Sequence, residues 1–152
     1  MNEMVGIFIT WCTYGSWLPG DSRGWRQRRL GHQLGNAVLE KHCRSKLKSD
    51  PVRLRDCDRT TIEDACKEHC NIRGWKLFQV NARSNHVHVV VAAYQKPQTV
   101  RDQLKANCTR RLRLQTDPLT RERTWAKGGD CEVLFDEEEL EAAILYVRDA
   151  QD

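Results

Sequence analysis

The sequence predicts an α+β domain of ferredoxin-like β-α-β-β-α-β order with an added C-terminal helix. Three observations predict it. Residues 5–13 form a β-branched and aromatic run, two further strand-like runs meet at a Ser84-Asn85 turn, and a stretch of helical period stands on either side of that hairpin. At 152 residues the chain has the length of one domain, spanning 1–152, so these elements share a core.

Taken in order, residues 5–13 (Val-Gly-Ile-Phe-Ile-Thr-Trp-Cys-Thr) are the first strand. The turn-rich segment Tyr14-Gly-Ser-Trp-Leu-Pro-Gly-Asp-Ser-Arg-Gly24 follows. It opens a long insertion at about 14–60, polar and weakly periodic, with a short helix expected at 38–48 before Pro51. Thr60 and Glu63 stand at capping-box spacing, which starts the first main helix there; it runs to about Ile72 and stops at Gly74. Residues 75–83 and 86–93 are the hairpin strands. Pro97 and Thr99 open a second helix reaching about Leu114, with Val100, Leu104, Cys108 and Leu112 on one side, and Asp117-Pro118 ends it. Short strand pieces are expected at 124–125 and 131–135. The last helix, 136–148, carries an acidic first turn that suits the positive end of its dipole.

Composition narrows the function classes. Charged residues make up 30 %, net charge is +4, and no run approaches the roughly 20 apolar residues of a membrane span. The first ten residues lack the basic start and cleavage site of a signal peptide, so a cytoplasmic location is expected. Seven cysteines then read as reduced thiols. Cys66, His69 and Cys70 resemble part of a zinc site, but no second cysteine pair completes it. Basic residues cluster twice. One group is Arg23, Arg26, Arg28 and Arg29 with Trp17 and Trp25 nearby; the other includes Lys105, Arg110, Arg111 and Arg113. Arginine and indole interleaved in this way can neutralise phosphates and stack on bases, so Arg23, Arg26, Arg28, Lys105, Arg110, Arg111, Arg113, Trp17 and Trp25 are candidate nucleic-acid contacts.

The most informative stretch is Ser84-Asn-His-Val-His-Val-Val-Val-Ala-Ala93. Side chains alternate along a strand, so His86 and His88 share one face while Val87, Val89 and Val91 take the other. Two imidazoles about 7 Å apart on one face can hold one divalent ion. Three tyrosines are available as nucleophiles beside them: Tyr14, Tyr94 and Tyr146.

The His-Val-His triplet matches the histidine–hydrophobic–histidine motif of the single-tyrosine HUH transposases. The opening Phe8-Ile-Thr-Trp-Cys-Thr-Tyr-Gly-Ser-Trp-Leu-Pro-Gly-Asp21 resembles the REP-associated tyrosine transposases and their insertion-sequence relatives. Gly74-Trp75 entering a strand, Asn85 before the triplet and a tyrosine on the last helix extend the likeness over nearly the whole chain. The resemblance implies a metal-dependent endonuclease and strand transferase for single-stranded DNA near hairpins. His86 and His88 would hold Mg²⁺ or Mn²⁺, and Tyr146 would attack the scissile phosphate to give a 5′-phosphotyrosine and a free 3′-hydroxyl. Many relatives place Gln or Asn four residues after the tyrosine as a third metal ligand; here that residue is Ala150. Gln151 takes the role on resemblance, provided the helix ends or tightens near Ala150, and Asp149 is the alternative on geometry. Relatives act as monomers or as homodimers, and either state is open here. The missing ligand at Ala150 supports a different class, a non-catalytic or domesticated binder of single-stranded nucleic acid on the same frame.

Overall fold

The computed structural model describes residues 3–27 and 29–152. Four strands form the main sheet: β1 (Gly6–Cys12), β4 (Lys76–Ala82), β5 (His86–Ala92) and β6 (Asp130–Leu134). Their order is β4-β5-β1-β6 and every neighbouring pair is antiparallel. With α2 (Asp56–Arg73) between β1 and β4, and α3 (Pro97–Arg113) between β5 and β6, the fold is α+β and compatible with the expected β-α-β-β-α-β frame. The final helix is α4 (Glu137–Arg148).

Alternation along β1 and β5 sorts the side chains into two layers. Ile7, Ile9, Trp11, Val87, Val89 and Val91 face α2 and α3, where Ile62, Cys66, Val100, Leu104, Cys108 and Leu112 complete the larger core. The other face carries a smaller cluster, Val90, Leu134, Leu140 and Val147, which seats α4 with help from Phe8, Phe78, Ala143 and Ile144. The four apolar residues expected on one side of α3 are all buried. Among the described residues, no helix is long and apolar enough to cross a membrane.

The first main helix differs from the expectation in its start. α2 begins at Asp56, and the capping acid is Asp58: its carboxylate accepts from the Arg55 backbone N–H and from the Arg55 guanidinium, each at 2.9 Å. Burial alone would raise the Asp58 carboxyl, but the hydrogen bonds from Arg55 and Gln115 outweigh it and hold it below the usual range. Glu63 reaches the next strand instead, accepting from the Ala82 N–H at 3.0 Å. The helix stops as expected at Gly74, whose φ of 72° is left-handed and favours glycine. Between β1 and α2 the chain forms a small hairpin of β2 (Trp25–Gln27) and β3 (Gly31–Gln33), then α1 (Ala37–Ser45), capped by the Asn36 side chain and shorter than the expected helix at 38–48. Trp125 makes one isolated bridge to Thr13 in place of a strand. All seven cysteines are free. Cys66 and Cys70 point into the core and His69 bonds to Gln103, so the three do not form a shared site.

Candidate active site

His86 and His88 leave β5 on the α4 side of the sheet, at the end of that face which α4 leaves uncovered. Their rings lie 4.6 Å apart between centroids. In the β1–β5 ladder Cys12 stands opposite His86 and Thr10 opposite His88, so β1 supplies the floor beside them. The Nδ1 of His88 is 2.8 Å from the Thr10 hydroxyl, and the Nδ1 of His86 is 2.6 Å from the Asn85 side-chain oxygen. With each Nδ1–H donated to its oxygen partner, each Nε2 keeps its lone pair available, as a metal-binding imidazole requires. Burial pushes the His88 imidazole down to about 4, with repulsion from His86 adding to it, and burial lowers His86 as well. Both are therefore neutral at pH 7.

Tyr146 arrives from α4. Its ring meets His88 edge-on at 5.6 Å and Phe8 edge-on at 5.8 Å, while Phe8 stacks on His88 at 5.8 Å. The side of Tyr146 away from the sheet is open, and the residue is 61 % exposed. The other two tyrosines are elsewhere. Tyr14 accepts the Lys48 backbone N–H at its hydroxyl. Tyr94 lies beyond the opposite end of β5, roughly 20 Å along the strand from His88.

An open cleft of ≈ 740 Å³ joins His86, His88 and Tyr146 to Asp149, Gln151, Asp152, Trp17 and Arg23. α4 ends at Arg148 and the chain tightens there, with the Ala150 N–H bonding the Val147 carbonyl three residues back. The helix therefore ends before Gln151, which lines the cleft. Asp149 lies on the same cleft, its carboxylate gripped by Arg148 at 2.9 and 3.0 Å and lowered by that contact. Among the described residues, no three His, Cys, Asp or Glu side chains meet as a ligand group. Two neutral imidazoles with anchored Nδ1 atoms nevertheless fit a divalent cation, and Gln151 and Asp149 bring oxygen donors to the same cleft.

The nucleic-acid candidates divide. Arg23 is built into the rim: it pairs with Asp21 through Nε at 2.9 Å and a terminal nitrogen at 2.6 Å, and it stacks 3.9 Å over Trp17. Trp25 and Arg26 line an adjoining cleft of ≈ 820 Å³ that also touches His88 and Tyr146. Lys105 is turned to another task, its ammonium donating to the carbonyls of Ala126 and Gly128 at 3.0 and 2.7 Å. Arg110, Arg111 and Arg113 sit on α3, across the sheet from the histidines, where Arg110 and Arg111 pair with Glu68 of α2. Arg28 lies outside the described residues.

The family model described as IS200-like transposase matches residues 38–149, most of the chain. The chain belongs to the IS200-like transposase family. The matched span contains the histidine strand and Tyr146. None of the curated proteins matches the chain closely enough to count as a relative.

Thr10, Asn81 and Asp152 escaped the sequence reading. The Asp152 carboxylate accepts the Ser84 N–H at 2.8 Å and the Arg83 Nε at 3.3 Å, and the Ser84 bond keeps its carboxyl low. Alternation from Phe8 to Cys12 did place Thr10 on the histidine face once β1 was paired with β5; nothing local marked the other two.

Proposed function

We propose that this transposase is a metal-dependent endonuclease and strand transferase for single-stranded DNA near hairpins, with Tyr146 as its nucleophile. The observation that carries the reading is the edge contact of Tyr146 with His88, in a cleft open to solvent. His88 and Tyr146 are 58 residues apart in sequence, yet the fold brings a phenol to a pair of neutral imidazoles.

In this reading Tyr146 Oη attacks the phosphorus of the scissile diester. An O–P bond forms to the 5′ side of the break, the bond from phosphorus to the 3′ oxygen is cleaved, and the phenolic proton ends on that oxygen as a free 3′-hydroxyl. One diester replaces another, so rejoining needs no ATP. Mg²⁺ or Mn²⁺ held by His86 and His88, with Gln151 or Asp149, would supply Lewis-acid polarisation of the phosphoryl oxygen. Nδ1–H donation to Thr10 and to Asn85 would fix each ring in the tautomer that leaves Nε2 free for the ion. Arg23, clamped by Asp21 and Trp17, offers its remaining N–H donors to the phosphate with little orientation left to lose. Trp25 and Arg26 border the path of the flanking nucleotides.

Covalent trapping tests the proposal. Labelled hairpin oligonucleotides from around the gene are incubated with the protein in Mg²⁺ or Mn²⁺, or in EDTA, and run on denaturing gels. A metal-dependent adduct that disappears in Tyr146→Phe is the expected result. An adduct that survives Tyr146→Phe overturns the assignment of the nucleophile. Salt-sensitive binding without any adduct would favour a non-catalytic binder, the reading that Ala150, a residue unable to ligate, supports.

A further inference from the structure

Asn81 belongs to β4 and stands opposite His88 in the β4–β5 ladder, so its side chain leaves the sheet on the histidine face. Its Nδ2 donates to the Val147 carbonyl at 2.8 Å and to the Ala150 carbonyl at 3.3 Å. These acceptors bracket the end of α4: the Val147 carbonyl already takes the Ala150 N–H, so Asn81 adds a donor there and reaches the residue beyond the helix as well. Tyr146 immediately precedes one of them, and Asp149 and Gln151 flank the other.

We infer that Asn81 is a positioning residue: its amide ties the end of α4 to β4, at the ladder position paired with His88 of β5, and so sets the Tyr146 ring against that imidazole. Side-chain packing cannot do this alone. Tyr146 is 61 % exposed and meets Phe8 and His88 in edge-type ring contacts, and the buried anchors Leu140 and Val147 fix the helix on the sheet but not the turn that follows it. A helix end in solvent can satisfy its carbonyls with water. A donor drawn from the residue that faces His88 across the ladder instead couples the end of the helix, through β4, to the histidine strand. The inference rests on Tyr146 being the nucleophile.

The test uses full-length protein labelled with 3-fluorotyrosine. Its three tyrosines give three ¹⁹F resonances, assigned by Tyr→Phe variants. Asn81→Asp keeps the shape but turns the donor into an acceptor facing two carbonyl oxygens; Asn81→Ala removes the group. Both should shift or broaden the Tyr146 resonance while Tyr14 and Tyr94 stay in place, which also reports that the fold is intact. Adduct formation by the unlabelled variants should fall roughly 10- to 100-fold, the scale of a misplacement near 1 Å. A Tyr146 resonance unchanged in both variants overturns the inference. So does a shifted resonance with wild-type adduct rates, which would make Asn81 a helix cap and no more. If the wild type itself forms no adduct, the transposase chemistry fails, and the resonances still decide whether Asn81 sets the position of Tyr146.

Discussion

The buried imidazole of His88 makes a specific demand on pH. Its folded pKa is about 4 against about 6.5 for an unfolded histidine. The folded state thus resists protonation, and its stability is complete above about pH 6.5 and is lost as pH falls toward 4. At pH 4.5 the unfolded imidazole is protonated with two pH units to spare while the folded one is still mostly neutral. At about 1.36 kcal/mol per unit this sets a ceiling near 2.5 kcal/mol, and water in the open cleft reduces it to about 1.5–2.5 kcal/mol. The groups around the ring are His86 on β5, Thr10 and Phe8 on β1, Asn81 on β4 and Tyr146 on α4; the one other imidazole among them is His86. His86 is present in both proteins compared, so its own effect cancels to first order. The assay is urea unfolding followed by tryptophan fluorescence, in EDTA, at pH 7.5 and 4.5, for the wild type and His88→Asn. Wild type should lose about 1.5–2.5 kcal/mol more than the variant over this interval. Parallel losses would refute the reasoning, because they would mean that the folded imidazole takes up its proton as easily as the unfolded one.

Other outcomes follow from the same geometry. Tyr146→Phe should leave urea stability within about 0.5 kcal/mol of wild type, since the hydroxyl lies on an exposed side chain, while removing the trapped adduct. EDTA should abolish adduct formation, with activity restored by excess Mn²⁺. Arg23→Ala should weaken binding of single-stranded DNA and reduce the salt slope by about one phosphate contact, whereas Arg113→Ala, on the far helical layer, should leave the slope unchanged; titrations at several salt concentrations decide. Leu104→Ala, in the larger core at 0 % exposure, should cost about 2–5 kcal/mol in urea unfolding.

What the sequence revealed depended on how local the cause was. The β4–β5 hairpin and α3 were legible because alternation and a four-residue repeat recur over whole elements, and the single face shared by His86 and His88 followed from strand geometry alone. The start of α2 was not. Thr60 and Glu63 fit a capping pattern, but the helix is capped at Arg55, whose backbone N–H bonds the Asp58 carboxylate while Gln115, some 57 residues from Asp58, bonds it too, a combination that only the folded chain assembles. The β2–β3 hairpin is too short for periodicity, with three residues in each strand. Within the site, three tyrosines stood out because the residue is rare and chemically distinct, and the resemblance to the family singled out Tyr146 among them. Asn81 looked like any polar residue in a half-exposed strand, and its meaning comes from its register against His88 and from carbonyls 66 and 69 residues later.

The two faces of the sheet explain why the site is held by backbone contacts. On the α2–α3 face, large apolar side chains are buried to completion and provide stability without meeting the cleft. On the α4 face, the proposed function requires a phosphodiester with a chain on either side to reach Tyr146, so the ring cannot be enclosed. Deeper burial would hold the phenol more firmly and shut out its substrate. The structure separates the two requirements. Leu140 and Val147 bury the near side of α4, the Tyr146 ring is left to edge contacts, and Asn81 and Asp152 tie the turn that follows to the histidine hairpin. A reactive group that has to be both accessible and fixed is thereby fixed through its own main chain, and that is where a loss of precision would first appear.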